Sequence, residues 1–178
     1  MSFYETDTGA WGVLTPTSGP FGAGENLGFW FEIDTPGVLA GFRQYSDGRH
    51  PAFALFQFWD STPKLLAEAA RSVKDIYATP AGAGWRNTWL HPRIHLSAST
   101  PYLISACVTE FWADFGTLTS ASVVGGHFTV YQDGTGPIPS NGVYDSATDT
   151  NGGFFSFISP PSTPTAGNWY GIDVLVKF

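Results

Sequence analysis

The 178 residues include one cysteine, Cys107, so no disulfide can form within the chain and packing alone must hold the fold. Cys107 falls on the less apolar face of its segment and reads as an inert, packed thiol. Charge is scarce as well: 13% of residues are charged, 8 basic against 15 acidic, for a net of −7. The few cations gather on no phosphate-binding face, so no nucleic-acid partner is expected. No apolar run reaches the length of a membrane span, and no membrane insertion is expected. The start, Met1-Ser2-Phe3-Tyr4-Glu5, has neither the basic opening nor the apolar stretch of an export signal. A nucleophile elbow, a zinc-protease helix and a phosphate loop are also missing. Gly22–Gly28 has the wrong spacing for a nucleotide loop and leads into a strand, not a helix.

Aromatics, glycine and proline are abundant. The chain has 7 Trp, 7 Tyr and 15 Phe, with 21 Gly and 13 Pro spread along its length as turn punctuation. Each large apolar side chain buried contributes about 1.5–3 kcal/mol, enough in sum for a core without a staple. The apolar pattern has period two. Tyr102, Ile104, Ala106 and Val108 share one face, and Leu103, Ser105, Cys107 and Thr109 the other, which predicts a strand with one face on a core. Trp85–Leu96 lies before it across the turn 97–101, as the other half of an expected central pair. Leu27–Asp34 alternates in the same way, with Val38–Tyr45 expected as its partner across Asp34-Thr35-Pro36-Gly37. Phe53–Trp59 is apolar on both faces, as a central strand would be. Lys64–Tyr77 reads as a strand to about Ala70 and then a helical or irregular turn. The closing segment Trp169–Phe178 puts Tyr170, Ile172, Val174, Val176 and Phe178 on one face, with Gly171, Asp173 and Lys177 opposite.

These segments predict an all-β fold: an antiparallel, jelly-roll-like β-sandwich of about eight to ten strands. Residues 1–26 read as an extended Pro/Gly-rich N-terminal arm, and residues 27–178 as a single sandwich domain. Trp59, Trp85 and Trp169 lie in or beside strands and are expected in the core.

No catalytic residue is assigned. Glu110 and Asp114 flank Trp112 and could supply the carboxylate pair of a glycosidase, but a recognition loop suits the segment better. Sugars bind where rings stack on their C–H faces while carboxylates and amides take the hydroxyls. Trp112, Asp114, Tyr131 and Tyr144 are the candidate ligand-binding residues on that ground; the alternative is that these rings plug the sandwich ends or a subunit contact. Asp145, Asp149 and Asn151 offer oxygens to calcium in a Gly-rich stretch without a full ligand motif, so either calcium or a solvated turn fits. No other cofactor is expected. His91 and His95, four apart, would share a strand face, but Pro92 and Arg93 between them argue for plain polar residues over a metal site.

Several pieces occur in an order that resembles a known family. They are Leu27-Gly-Phe-Trp-Phe31, Leu39-Ala-Gly-Phe-Arg-Gln-Tyr45, Phe58-Trp-Asp-Ser-Thr-Pro-Lys-Leu-Leu66, Gly84-Trp85 with Pro92 and Pro101-Tyr102, Asn141-Gly-Val-Tyr144, and Asn168-Trp-Tyr-Gly-Ile-Asp-Val174. Over residues 25–178 the chain is similar to the bacterial β-sandwich module catalogued as domain of unknown function forty-eighty-two. It departs from that pattern in a longer Lys64–Gly84 and in the segment before residue 25. The resemblance implies a sandwich and an extracellular habit, and brings no catalytic residues. The chain also looks like the short minor tail proteins of phages infecting actinobacteria. A virion protein reconciles an extracellular role with a start that lacks an export signal, since particles assemble in the host cytoplasm and are then released. The expectation is a non-enzymatic minor tail, tail-tip or fibre subunit located in the virion. Its partners would be other virion proteins and further copies of itself, a homotrimer first, with host-surface glycan as a further ligand. Capsid decoration and a secreted carbohydrate-binding module are the alternatives.

Overall fold

The structure, a computed structural model, describes residues 18–21, 25–46, 54–71, 84–108, 111–113, 122–124, 127–130, 142–146, 160–165 and 171–178. They form thirteen strands: β1 (Ser18–Phe21), β2 (Glu25–Ile33), β3 (Gly37–Ser46), β4 (Ala54–Asp60), β5 (Leu65–Ala70), β6 (Gly84–Leu96), β7 (Tyr102–Val108), β8 (Phe111–Ala113), β9 (Ser122–Val124), β10 (Phe128–Val130), β11 (Gly142–Ser146), β12 (Thr163–Thr165) and β13 (Ile172–Lys177). Among the described residues there is no helix. The longer strands follow the alternating segments of the sequence. The three-residue strands β8, β9, β10 and β12 are too short to carry a readable period. Part of the stretch expected as an arm is β1, which pairs with β8 in a small ribbon, and β2 already takes in Glu25 and Asn26.

An eight-stranded sheet has the order β12-β11-β2-β7-β4-β5, with β10 also on β2 and β9 on β10. A three-stranded sheet, β13-β3-β6, packs across it, and every pairing is antiparallel. The larger sheet gives the core Leu27, Phe29, Phe31 and Ile33 from β2, Phe56 and Phe58 from β4, and Tyr102, Ile104, Ala106 and Val108 from β7. The smaller sheet answers with Leu39, Phe42, Leu90, Leu96, Ile172, Val174 and Val176. Burial of these two rows drives the assembly of the sandwich.

Two expected neighbours are corrected. β3 is not the partner of β2: it lies in the other sheet, between β13 and β6. Likewise the turn 97–101 carries the chain from β6 in one sheet to β7 in the other. Alternation tells which face of a strand is apolar, not which strand lies beside it. The backbone bonds at the end of β2 show the outcome. The Asp34 N–H donates to the His127 carbonyl (3.0 Å) and the Ser99 N–H to the Ile33 carbonyl (2.7 Å), so neither closes a hairpin to β3.

β7 is a further correction, because it is buried on both faces along its whole length. Its outer face meets a second cluster in which Leu103 packs with Trp30, Trp59 and Val143. Trp59 is therefore buried as expected, but on the side away from the main core, where its indole N–H donates to Ser105 Oγ at 2.9 Å. The room comes from Gly28, where an added Cβ would stand 2.6 Å from the Ile104 carbonyl oxygen. Cys107 is buried in the same strand, in agreement with the inert reading. Phe178, expected in the core row of β13, is 43% exposed. β13 ends at Lys177, and the Phe178 ring rests instead on His127 (4.4 Å) and edge-on to Phe128 (5.4 Å). The His127 Nδ1–H donates to Asp34 Oδ1 at 2.9 Å, which holds the Asp34 carboxyl below the usual carboxylate range.

The β4–β5 turn shows how one side chain shapes a connection. Asp60 Oδ1 accepts from the Thr62 hydroxyl (2.7 Å), the Thr62 N–H (2.8 Å) and the Lys64 N–H (3.1 Å). The Thr62 hydroxyl does most to lower its carboxyl from the ordinary 3.8; partial desolvation opposes it, and the Lys64 and Thr62 N–H groups add to the lowering. A carboxyl depressed in the native state adds stability above its unfolded pKa and loses it as pH falls through the native one. Urea midpoints are thus expected to drop on acidification below about pH 4, and Asp60→Asn to flatten part of that drop; an unchanged slope would show that the turn does not select the carboxylate.

Candidate functional site

The outer face of the smaller sheet gathers the chemistry that the described residues offer. In register across its strands, Asp173 stands opposite Arg43 and Arg43 opposite Asn87; beside them Tyr45 stands opposite Trp85, and Gly41 opposite Trp89. Phe42 and Val174 point into the core, so their neighbours Arg43 and Asp173 fall on the far side by strand alternation. Both are buried, Asp173 completely and Arg43 to 6% exposure. Arg43 Nε and Nη2 both donate to Asp173 Oδ2, at 2.8 and 2.6 Å, and Asp173 Oδ1 accepts the Val174 N–H at 2.8 Å. Opposite charges out of water need this degree of satisfaction to persist.

The pair fixes the rings above it. The Arg43 guanidinium carbon lies 4.2 Å from the centre of the Trp85 ring, a cation–π contact, and Tyr45 meets Trp85 edge-on at 5.9 Å and 80°. The Tyr45 N–H donates to the Gly171 carbonyl (2.8 Å), and Gly171 has a φ of +61°, a conformation that suits glycine. Next to them Gly41 leaves no room for a side chain: a Cβ there would stand 2.5 Å from the Thr88 carbonyl oxygen. Tyr45, Trp85 and Trp89 are half-buried and Asn87 is exposed. The face thus presents half-buried rings, Trp85 among them held by Arg43 and Tyr45, beside an exposed amide.

Trp85, expected in the core, does pack against it but is only half-buried, with Arg43 across its ring. The readable signal was Arg43 and Asp173, opposite charges on the polar rows of two mainly apolar strands. Of the residues expected to bind ligand, Trp112 has its backbone in β8, between the register pairs Ser18↔Ala113 and Phe21↔Phe111, and β8 lies close to β3. Tyr144 and Asp145 lie on β11, across from Leu27 and Asn26. Asp114, Tyr131, Asp149, Asn151, Glu110 and Trp169 lie outside the described residues. The spacing argument that put His91 and His95 on one face loses its basis, though both residues are exposed. Between Gly41↔Trp89 and Leu39↔Ile94 the register slips, setting four residues of β6, including His91, against Ala40 alone. Such a bulge breaks the alternation on which the expectation rested. Among the described residues no three His, Cys, Asp or Glu side chains group as a metal centre would need. Compared with protein-family models the chain matches none, and a search of curated proteins finds no match.

Proposed function

We propose that the chain is a non-enzymatic subunit of a phage virion, a minor tail, tail-tip or fibre protein, that works by contact. It packs against other virion proteins and, through the outer face of its smaller sheet, reads glycan on the host surface. The observation that carries the reading is the half-buried ring set Tyr45, Trp85 and Trp89 beside the exposed Asn87, with Trp85 held across the buried Arg43–Asp173 pair. Spending a buried ion pair on positioning half-exposed rings suits a surface that must keep its shape when touched. The virion setting is supported by the chain's likeness to short minor tail proteins, together with the extracellular habit implied by the ordered motifs between Leu27 and Val174. A homotrimer would multiply a weak single-site affinity by avidity.

Two measurements test this together. Mass spectrometry of purified particles should find the chain, and particle images should place it on the tail. Isolated protein should bind host-envelope glycan, and Trp89→Ala should weaken that binding about tenfold, equal to about 1.4 kcal/mol, while Trp30→Phe on the opposite sheet should not. Location on the capsid would favour decoration. Glycan binding by a chain absent from particles would favour a secreted binding module, and turnover of the polysaccharide would refute the non-enzymatic reading.

A further inference from the structure

The larger sheet holds a feature that the glycan-contact face does not use. Asn26 of β2 is fully buried, and neither its amide oxygen nor its amide nitrogen has a hydrogen-bond partner. Leu27 and Phe29 of the same strand point into the core, so Asn26 lies on the outer face by alternation. A buried amide without a partner has lost its hydration uncompensated, and such groups in folded proteins are commonly met by an ion or a bound water. Its neighbours in register are Asp145 of β11 on one side and Cys107 of β7 on the other. Opposite residues of an antiparallel pair stand with their Cβ atoms about 4.5–5.5 Å apart, yet the Asn26 amide N–H groups donate to nothing. The surrounding charge is one-sided. The eight strands of this sheet carry Glu25, Glu32, Asp60, Glu68 and Asp145, and no lysine, arginine or histidine.

We propose that Asn26 and Asp145 hold a calcium ion between β2 and β11. An amide oxygen only accepts, as does an ionised aspartate, so two such groups on adjoining strands are joined by a cation. Calcium takes oxygen ligands at about 2.3–2.6 Å, so one ion spans the separation of an opposite pair, with backbone carbonyls and water completing its shell. No basic residue on this sheet's strands competes for the carboxylate. A softer metal would need the Cys107 thiolate, and full burial of that thiol opposes its ionisation. In the sequence Asp145 is one acid of a Gly-rich stretch; the register supplies a second ligand from a strand far away along the chain. Nothing in this site depends on the ring set, which lies on the other sheet.

The test takes the full chain, stripped with EGTA and titrated with calcium chloride, and follows it by calorimetry, thermal unfolding and the Asn26 side-chain amide signals in NMR. Calcium at about a hundredfold over its dissociation constant is expected to raise the unfolding midpoint by roughly 5–10 °C. It should also shift the Asn26 amide signals. Asp145→Asn should weaken calcium binding at least about tenfold. Asn26→Leu should abolish the calcium-dependent gain yet unfold, in EGTA, no lower than the parent, because an apolar side chain of similar size replaces a polar group without a partner. Three results would overturn the site: a parent with the same midpoint in calcium and in EGTA, calcium bound equally by the parent and both variants, or zinc bound more tightly than calcium and lost in Cys107→Ser.

Discussion

Asp173→Ala should lower the unfolding free energy by about 3–5 kcal/mol, because it leaves the Arg43 guanidinium buried without its counter-charge. Asp173 has no exposed surface, and one of its oxygens takes both Arg43 donors while the other takes a backbone N–H. Truncation therefore strands three donors at once. The stranded guanidinium keeps the Trp85 ring, whose face cannot replace a carboxylate. The measurement is the urea or guanidinium midpoint at constant slope, read against Arg43→Met/Asp173→Leu. If the loss comes from an uncompensated charge and not from lost volume, the double variant should recover most of it, since well-packed apolar pairs commonly replace buried ion pairs without loss. It should also loosen Trp85, seen as a change in near-ultraviolet circular dichroism. A single variant as stable as the parent would mean that the pair is not buried in solution.

Phe31→Ala is expected to cost a similar amount, about 3–5 kcal/mol, by opening a cavity at the centre of the sandwich. Phe31 is fully buried, and its ring touches four others: Phe29 at 5.9 Å, Phe58 at 6.1 Å, Tyr102 at 6.2 Å and Phe128 at 5.8 Å. Those neighbours come from β2, β4, β7 and β10, so no single element can shift to fill the gap. Phe178→Ala is the control, since that ring is 43% exposed and packs at the rim. Denaturation should rank Phe31→Ala far below Phe31→Leu, with Phe178→Ala nearest the parent; an equal loss at Phe31 and Phe178 would contradict the placement of the core.

Much of the fold was legible because burial writes itself into a strand as alternation. Leu27, Phe29, Phe31 and Ile33 could be assigned to one inner row from spacing alone, as could Tyr102 to Val108. Neighbour relations were not legible. Three residues after β2 and five after β6 suit a hairpin and a crossing between sheets equally well, and the bonds that decide it come from His127 and Ser99, far away in sequence or in the other turn. Burial of β7 on both faces was hidden for a related reason: Ser105 and Cys107 look like a solvent face until Trp59 and Trp30 arrive from other strands to cover it.

The candidate site was less legible still. A tryptophan within a strand reads as core by default, and nothing local to Trp85 marks it as the ring that Arg43 lies against. Only the register, which brings Asp173 beside Arg43 across 130 residues, turns two isolated charges into one supporting element. Trp112 and Tyr144 read in the sequence as aromatics near loops; the backbone of each lies in a strand, β8 and β11.

Oxidative footprinting of the free chain with and without host-envelope glycan tests the contact face most directly. Protection is expected at Tyr45, Trp85 and Trp89, with Leu65, an exposed residue on β5 of the opposite sheet, oxidised equally in both states. Unchanged oxidation of those three rings under saturating glycan, or protection confined to the larger sheet, would contradict the assignment.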